Sequence, residues 1–179
     1  EENQFMSGFS VFAALAMTAE GANGTTLDIL KSTLGLPERE ILHDGLKELG
    51  AALGRGDEPY ALAVANAIWP EKSFHLQPEF LSIVRSVYRG DAIPLNFKSD
   101  YENSRKTINA WVEKQTQQRI KDLLPQGSID NLTRMVLTNA IYFKGKWKLE
   151  FDKKLTKPQP FWLAKGKQVD APLMYLPYK

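Results

Sequence analysis

The stretch Val136-Leu-Thr-Asn-Ala-Ile-Tyr-Phe-Lys-Gly-Lys-Trp147 decides the fold of this 179-residue chain. Residues 135–142 are dominated by β-branched, aliphatic and aromatic side chains, without Pro, Gly or charge. This composition predicts a strand buried on both faces of a central sheet. Gly145 then predicts a sharp turn, and Trp147 ends the segment with a large ring. We therefore expect a rigid strand with an aromatic plug at its end.

Thr138 and Asn139 are the polar residues that interrupt this apolar run. A buried Asn without hydrogen-bond partners costs about 1–3 kcal/mol. We therefore expect the pair to join a hydrogen-bond network with another segment. An alternative stays open, in which Asn139 is an ordinary satisfied core residue and Trp111 and Trp147 are ordinary core aromatics.

Composition and charge are those of a soluble globular protein. The chain is 43% hydrophobic and 25% charged, and its formal net charge is +2. So small a charge predicts no nucleic-acid or membrane partner, and no apolar run approaches the length of about 18 residues of a membrane-spanning helix. There is no cysteine, which excludes disulfides and thiolate metal sites but leaves the cellular compartment open.

The hydrophobic periodicity predicts a mixture of helices and strands. Ser10 and Thr25 are candidate helix caps, with Asp28 at the capping-box position after Thr25. The predicted helices span residues 9–21, 25–34, 38–53, 76–88 and 100–124. The predicted extended segments span residues 60–69, 90–97, 135–142, 159–163 and 169–175, with a polar loop at residues 54–59.

The sequence contains no catalytic or metal-binding pattern. His43 and His75 are isolated, and no His-x-x-x-His or Cys-x-x-Cys spacing is present. We interpret both histidines as surface or structural residues. No glycine-rich segment has the residues of a phosphate loop. The sequence therefore predicts no enzyme active site and no cofactor.

Several motifs together resemble the serpin family. They occur in the family's order from about residue 9 to residue 179. They are Leu15-Ala-Met17 with Glu20-Gly-Ala22, Gly24-Thr-Thr, Asn66-Ala-Ile-Trp69, Ile108-Asn-Ala-Trp-Val-Glu-Lys-Gln-Thr116, Asn139-Ala-Ile-Tyr-Phe-Lys-Gly-Lys-Trp147 and Leu176-Pro-Tyr-Lys179. The resemblance implies an α+β fold, with a large mixed central β-sheet, surrounding helices and smaller sheets, and a single domain over residues 1–179.

The resemblance implies an inhibitor of serine or cysteine endopeptidases. In that family a protease cleaves a reactive loop, which then inserts as a new strand into the central sheet. A non-inhibitory carrier, chaperone or storage protein is the alternative that the resemblance also allows. The implied partners are a target serine or cysteine protease and a C-terminal fragment of the same protein. An extracellular location is expected, with an intracellular one left open.

The resemblance also assigns roles to particular residues. In the family the shutter, the region where the sheet opens, joins serines at a helix start to polar residues of a central strand. The corresponding residues here are Ser7, Ser10, Thr138 and Asn139. Trp147 corresponds to the breach, where loop insertion begins. The helix that lies across the sheet contributes Asn109, Trp111 and Thr116.

Three departures from the family pattern predict an incomplete chain. Met6-Ser-Gly8 stands where the family usually has Ser-Pro, so the local turn is expected to differ. Tyr175 and Leu176 are adjacent, although the family carries a substantial run of residues between the corresponding motifs. The sequence ends at Lys179, and the reactive-site bond is not in this sequence.

Overall fold

The computed structural model describes residues 7–53 and 60–176 of the chain. Its helices are α1 (Gly8–Ala19), α2 (Gly24–Leu34), α3 (Arg39–Leu53), α4 (Pro78–Ser86) and α5 (Phe97–Gln115). Its strands are β1 (Tyr60–Pro70), β2 (Gly90–Ala92), β3 (Met135–Gly145), β4 (Lys157–Trp162) and β5 (Gln168–Leu173), and short 3-10 helices cover Lys153–Leu155 and Ala164–Gly166. Parts of three predictions lie outside the described residues. They are the loop at residues 54–59, residue 6 of the segment that departs from the family's Ser-Pro, and residues 177–179 of the last family motif.

The chain divides into two compact units, with the boundary in sequence between Phe143 and Lys144. The first unit holds α1 to α5, β1, β2 and most of β3. In the second unit, β4 and β5 form an antiparallel pair. The single domain expected over residues 1–179 stays a prediction. Among the described helices of both units, none is long and apolar enough to cross a membrane.

The three-stranded sheet of the first unit has the order β2-β1-β3. Strand β2 pairs with β1 in parallel. The rings of Tyr60 and Phe143 lie 5.7 Å apart at one end of the β1–β3 pair. At the other end, the Glu71 amide donates a hydrogen bond of 2.8 Å to the Arg134 carbonyl. These two contacts mean that β1 and β3 run in opposite directions.

Residues 65–70 of β1 are all buried, and because successive side chains of a strand point to opposite sides, this half of β1 is buried on both faces. On one face, alternate residues of β1 pack against α5 in a cluster that includes Ala65, Ala67, Trp69, Phe97, Ile108 and Val112. On the other face, Ile68 packs with residues of α1, α3 and the α4 region, including Met17, Leu42, Val84 and Tyr88. Strand β1 therefore lies in the middle layer between two apolar clusters.

The prediction that residues 135–142 are buried on both faces is wrong. In β3 only Thr138 and Ala140 are buried, while Met135 and Leu137 are 37% and 36% exposed. Strand β3 is an edge strand of the described sheet, and one of its faces lacks the apolar cover that lies over β1. The apolar run correctly predicts a strand, but the strand with two covered faces is β1.

The predicted helix at residues 100–124 also needs correction, because α5 spans Phe97–Gln115. The chain leaves the helix through Gln117 and Gln118, whose φ angles are 51° and 61°. The Thr116 hydroxyl accepts a hydrogen bond of 3.1 Å from the Ile120 amide. Apolar residues after position 115 therefore continue the helical spacing in sequence, but they pack against the sheet from a non-helical segment.

The predicted helix caps lie a few residues too late. Helix α1 is capped by Ser7, whose hydroxyl accepts a hydrogen bond of 3.3 Å from the Ser10 amide. Helix α2 is capped by Asn23, whose side-chain oxygen accepts from the next amide at 2.8 Å. Thr25 and Asp28 therefore lie inside α2 instead of forming its capping box. Ser and Asn are both preferred caps, so adjacent candidates compete.

The Glu20 carboxylate joins three elements of the first unit. It accepts hydrogen bonds from Arg39 at 2.8 Å and Tyr88 at 3.0 Å, and His43 lies 2.7 Å away. Burial raises the pKa of Glu20, but the bonds to His43, Arg39 and Tyr88 outweigh it and hold that pKa below its usual value. Burial and the Glu20 charge raise the pKa of Tyr88 well above its usual range. His43 thus has a structural role, in agreement with its interpretation from the sequence.

Replacing Glu20 by Gln is expected to lower the free energy of unfolding by about 1–3 kcal/mol at pH 7, because the charged hydrogen bonds are weakened. Since the folded-state pKa is depressed, this stabilisation is present above the unfolded-state value of 4.5 and is lost as the pH falls through the folded-state value. Denaturant unfolding from pH 7 to pH 3 measures both effects. Glu40→Gln, at an exposed position of α3, is the control. Equal losses in the two variants would contradict the prediction.

Candidate functional site

Asn139 forms a hydrogen-bonded chain across the sheet. Its amide donates to the side-chain oxygen of Asn66 at 2.5 Å, and the Asn66 amide donates to the Tyr88 carbonyl at 3.0 Å. Asn66 is only 7% exposed. These two hydrogen bonds link β3 through β1 to the residues just before β2. The expectation that Asn139 hydrogen-bonds to another segment is confirmed.

Thr138 makes a second contact between the same strands, on the other face of the sheet. Its hydroxyl accepts a hydrogen bond of 2.9 Å from the Trp69 indole, and both residues are buried. The Trp69 ring meets the Trp111 ring of α5 edge to face, with centroids 5.4 Å apart and planes at 86°. Such pairs contribute about 0.5–1.5 kcal/mol beyond the burial of their area. The expected network therefore consists of one contact on each face of β3.

Ser7 and Ser10 lie at the start of α1. The described bonds of these residues are local, since Ser7 accepts from the Ser10 amide. No hydrogen bond between described residues joins either serine to Asn139, whose partner is Asn66. Helix α1 does pack on the face of β1 that carries Ile68, and Asn66 lies on that same face. The structure thus brings the serines and Asn139 to one side of the sheet without bonding them.

Asn109 of α5 and Thr116, the residue that caps the end of α5, hold the segment that follows the helix. Asn109 donates to the Leu124 carbonyl at 2.9 Å and accepts from the Leu124 amide at 2.8 Å. The Arg105 guanidinium donates to the same carbonyl at 2.7 Å. Thr116 donates to the Val112 carbonyl at 2.8 Å and accepts from the Ile120 amide. These bonds fasten the returning segment to the helix that lies on β1.

Trp147 belongs to the second unit, where its ring meets Phe151 edge to face with centroids 6.0 Å apart. The Trp147 side chain is 67% exposed. The ring therefore fills no core among the described residues, and the aromatic plug inferred from the sequence is not formed. Its assignment to the breach stays a prediction.

The sequence did not predict that Asn66 and Trp69 are the partners of Asn139 and Thr138. Asn66 is a polar residue in an apolar strand, the same signal that drew attention to Asn139. The strand period places Asn66 and Trp69 on opposite faces of β1, as Asn139 and Thr138 are on β3. This pattern could have suggested two side-chain pairs between strands. Which residues pair becomes clear only once β1 is known to lie beside β3.

Comparison with known proteins identifies similar chains. The family model described as Serpin (serine protease inhibitor) matches residues 1–178. The chain is 42% identical over 173 residues to the leukocyte elastase inhibitor of Bos taurus, covering 97% of this chain and 46% of that protein. It is 38% identical over 177 residues to an uncharacterized serpin-like protein of Methanosarcina acetivorans, covering 98% of this chain and 42% of that protein. The chain thus spans less than half the length of these curated relatives.

Solved structures share this fold. The structure of ovalbumin from emu (Dromaius novaehollandiae) superposes with a TM-score of 0.91 at 28% identity, over 98% of this chain and 49% of that one. The structure of Serpin48 from the insect Tenebrio molitor superposes with a TM-score of 0.89 at 34% identity, over 98% of this chain and 48% of that one. These likenesses confirm the predicted α+β fold.

Replacing Thr138 by Val is expected to lower the free energy of unfolding by about 1–3 kcal/mol, because the buried Trp69 indole loses its acceptor. The same change in a Trp69→Phe background should cost clearly less, since the donor is already absent. Denaturant unfolding of the wild type, both single variants and the double variant forms the required cycle. An equal cost of Thr138→Val in the two backgrounds would show that the hydrogen bond does not stabilise the fold.

Proposed function

Because the chain belongs to the serpin family, we propose that the whole protein inhibits serine or cysteine endopeptidases by a suicide mechanism. The target protease cleaves a reactive loop, and the loop inserts into the central sheet as a new strand. The chain described here supplies the part of the sheet that receives the strand.

The observation that carries the proposal is the way in which the two edges of β3 are paired. Two side-chain contacts, Asn139 with Asn66 and Thr138 with Trp69, hold one edge of β3 to β1. In the order β2-β1-β3, the other edge of β3 has no neighbour among the described strands. An unpaired edge presents backbone N–H and C=O groups in the pattern that an added strand needs. Because β1 fixes β3 on one side, β3 can hold its position while another strand is added on its other side.

The assigned residues take distinct roles in the proposal. Ser7, Ser10, Thr138 and Asn139 form the shutter that controls where the sheet opens. Trp147 marks the breach. Asn109, Trp111 and Thr116 keep α5 and its returning segment together over the sheet while a strand inserts. This last role is supported by the paired bonds of Asn109 to Leu124.

The names of the relatives support inhibition. The proteins from Bos taurus and Homo sapiens that match this chain at 42% and 39% identity are both named leukocyte elastase inhibitor. A structure of cleaved, loop-inserted ovalbumin mutant R339T superposes with a TM-score of 0.83 at 30% identity. An elastase-type serine protease is therefore the first target to test.

A non-inhibitory role, as a carrier, chaperone or storage protein, is the second candidate. The specific observation in its favour is the likeness to emu ovalbumin, a member of this fold whose name states no inhibitory activity. The two candidates share the fold and differ in whether a cleaved loop inserts. Loop insertion is therefore the property that an experiment has to measure.

The proposed partners are the target protease and a C-terminal fragment of the same protein. Apolar residues of β3 support the second partner, because Leu137 and Phe143 are 36% and 64% exposed. Exposed apolar side chains of this kind mark surfaces that bind another segment. The extracellular location stays a prediction.

The intact protein, incubated with an elastase-type serine protease, is expected to form a complex that survives denaturing electrophoresis and has the summed mass of its components. Cleavage of the loop without complex formation, by a non-target protease, should raise the melting temperature, because insertion adds a strand to the sheet. Protease with a blocked active-site serine is the control and should give no such complex. A cleaved loop with neither a complex nor a rise in melting temperature would support the non-inhibitory candidate instead.

A further inference from the structure

Tyr88 belongs to two hydrogen-bond networks of the first unit. Its backbone carbonyl accepts a hydrogen bond of 3.0 Å from the Asn66 amide, and its hydroxyl donates one of 3.0 Å to the Glu20 carboxylate. Asn66 in turn accepts from Asn139 of β3, and Glu20 binds side chains of α3. A series of hydrogen bonds therefore connects the junction of α1 and α3 to β3 through one buried tyrosine.

The Tyr88 hydroxyl is firmly anchored at Glu20. The Glu20 side chain is only 5% exposed, and it also pairs with Arg39 at 2.7 Å. Burial and the Glu20 charge raise the pKa of Tyr88 well above its usual range, so the hydroxyl keeps its proton and remains a donor. A hydrogen bond to a charged carboxylate is stronger than one between neutral groups. The Glu20 carboxylate therefore fixes the position of the Tyr88 ring.

The backbone that follows Tyr88 is strained. Arg89 has a φ of 51°, in the left-handed region that residues other than Gly rarely adopt. Gly90, which is paired with Asn66 in the register of β1 and β2, is closely packed, since an added Cβ would lie 3.1 Å from the Val84 side chain. Such a conformation persists only where the surrounding structure holds it. The anchored Tyr88 ring is one of these restraints, because it fixes the residue just before Arg89.

The Tyr88 carbonyl determines which end of the Asn66 amide meets Asn139. An asparagine amide carries its donor and its acceptor on different atoms. While the nitrogen of Asn66 binds the Tyr88 carbonyl, its oxygen faces Asn139, whose own nitrogen is the donor. If Asn66 turned its amide over, two nitrogens would face each other and the bond to β3 would be lost. The position of Tyr88 therefore determines whether Asn66 can hold Asn139.

We propose that Glu20 and Tyr88 are positioning residues for strand insertion, because they fix the orientation in which Asn66 binds Asn139 and so help β1 to hold β3. This inference rests on the proposed function and adds two residues whose hydrogen bonds, within the described part of the chain, go to α3 and β1 and not to β3. Loss of the bond between Glu20 and Tyr88 lets Asn66 turn over, and β3 then separates from β1 more often.

Amide hydrogen exchange of the intact protein at pH 7 tests this link. Tyr88→Phe removes the hydroxyl and keeps the ring and the carbonyl, and it should speed exchange of the β3 amides about threefold or more. Tyr101→Phe is the control, because Tyr101 is exposed on α5 and its hydroxyl has no hydrogen-bond partner among the described residues. Faster exchange confined to α1, α3 and the residues around Tyr88, with β3 unchanged, would mean a purely local role and would overturn the proposal.

Two further variants make the exchange experiment specific. In an Asn139→Ala protein the link to β3 is already broken, so Tyr88→Phe should add no further increase in β3 exchange. Equal acceleration in the two backgrounds would show that Tyr88 acts on the fold as a whole, which would also overturn the proposal. Glu20→Gln weakens the same hydrogen bond and should therefore speed exchange in the same strand.

The inhibition reaction gives an independent readout of insertion. With a protease that the wild type traps, Tyr88→Phe should yield a smaller share of trapped complex and a larger share of cleaved, released protein than Tyr101→Phe, because β3 is held less firmly while the new strand is added. Equal shares in the two variants, with normal trapping by the wild type, would contradict the role of Tyr88 alone. A wild type that traps no protease would contradict the proposed function itself.

Discussion

The burial of β1 on both faces is the constraint on which the rest of the first unit depends. Its alternating side chains join two apolar clusters, one under α5 and one under α1, α3 and α4. A strand in this position has to be apolar on both sides, and alanines let the covering helices approach closely. Polar groups can then enter β1 only where they are satisfied, as Asn66 is by Tyr88 and Asn139. The polar contacts of the candidate site are thus set by the packing around them.

The two contacts between β1 and β3 differ in chemistry and in burial. The Asn66–Asn139 bond lies on the α1 side, where β3 is partly exposed, whereas the Trp69–Thr138 bond is buried under α5. A hydrogen bond in a low-dielectric environment is stronger, and it costs more to leave unmade. The α5 side therefore fixes the position of β3 more firmly than the α1 side does. This asymmetry agrees with the proposed addition of a strand beside β3, because β1 would hold β3 in place.

Local pattern predicts much of this fold. The helix predicted at residues 38–53 and the strand predicted at residues 60–69 agree with α3 and β1 to within a residue, because apolar spacing and terminal Pro or Gly are local signals. The end of α5 was missed because Ile120 and Leu124 keep a helical spacing although they pack from a returning segment. The burial of β3 was overestimated because an apolar run does not reveal whether both faces are covered.

Part of the candidate site could be found in the same way. Thr138 and Asn139 stand out as polar residues in an apolar strand, and the need for partners follows from the cost of burial. The partners themselves lie 69 and 73 residues away in sequence, so only the strand order identifies them. The exposure of Trp147 was likewise not visible in its residue type. Sequence thus predicts which groups need partners, and topology decides which partners they obtain.

The bonds that tie Leu124 to Asn109 have a mechanical consequence. They close the chain into a loop that begins and ends on α5, so the returning segment is fastened to the helix. Ile129 is anchored in the core beneath α5, only five residues after Leu124. Between them lies the turn in which the Ser128 amide donates to the Pro125 carbonyl and Gly127 adopts a φ of 82°. Any change in the distance between α5 and β3 has to be absorbed by the residues between Leu124 and Met135, and Gly127, with its positive φ, lies in that segment.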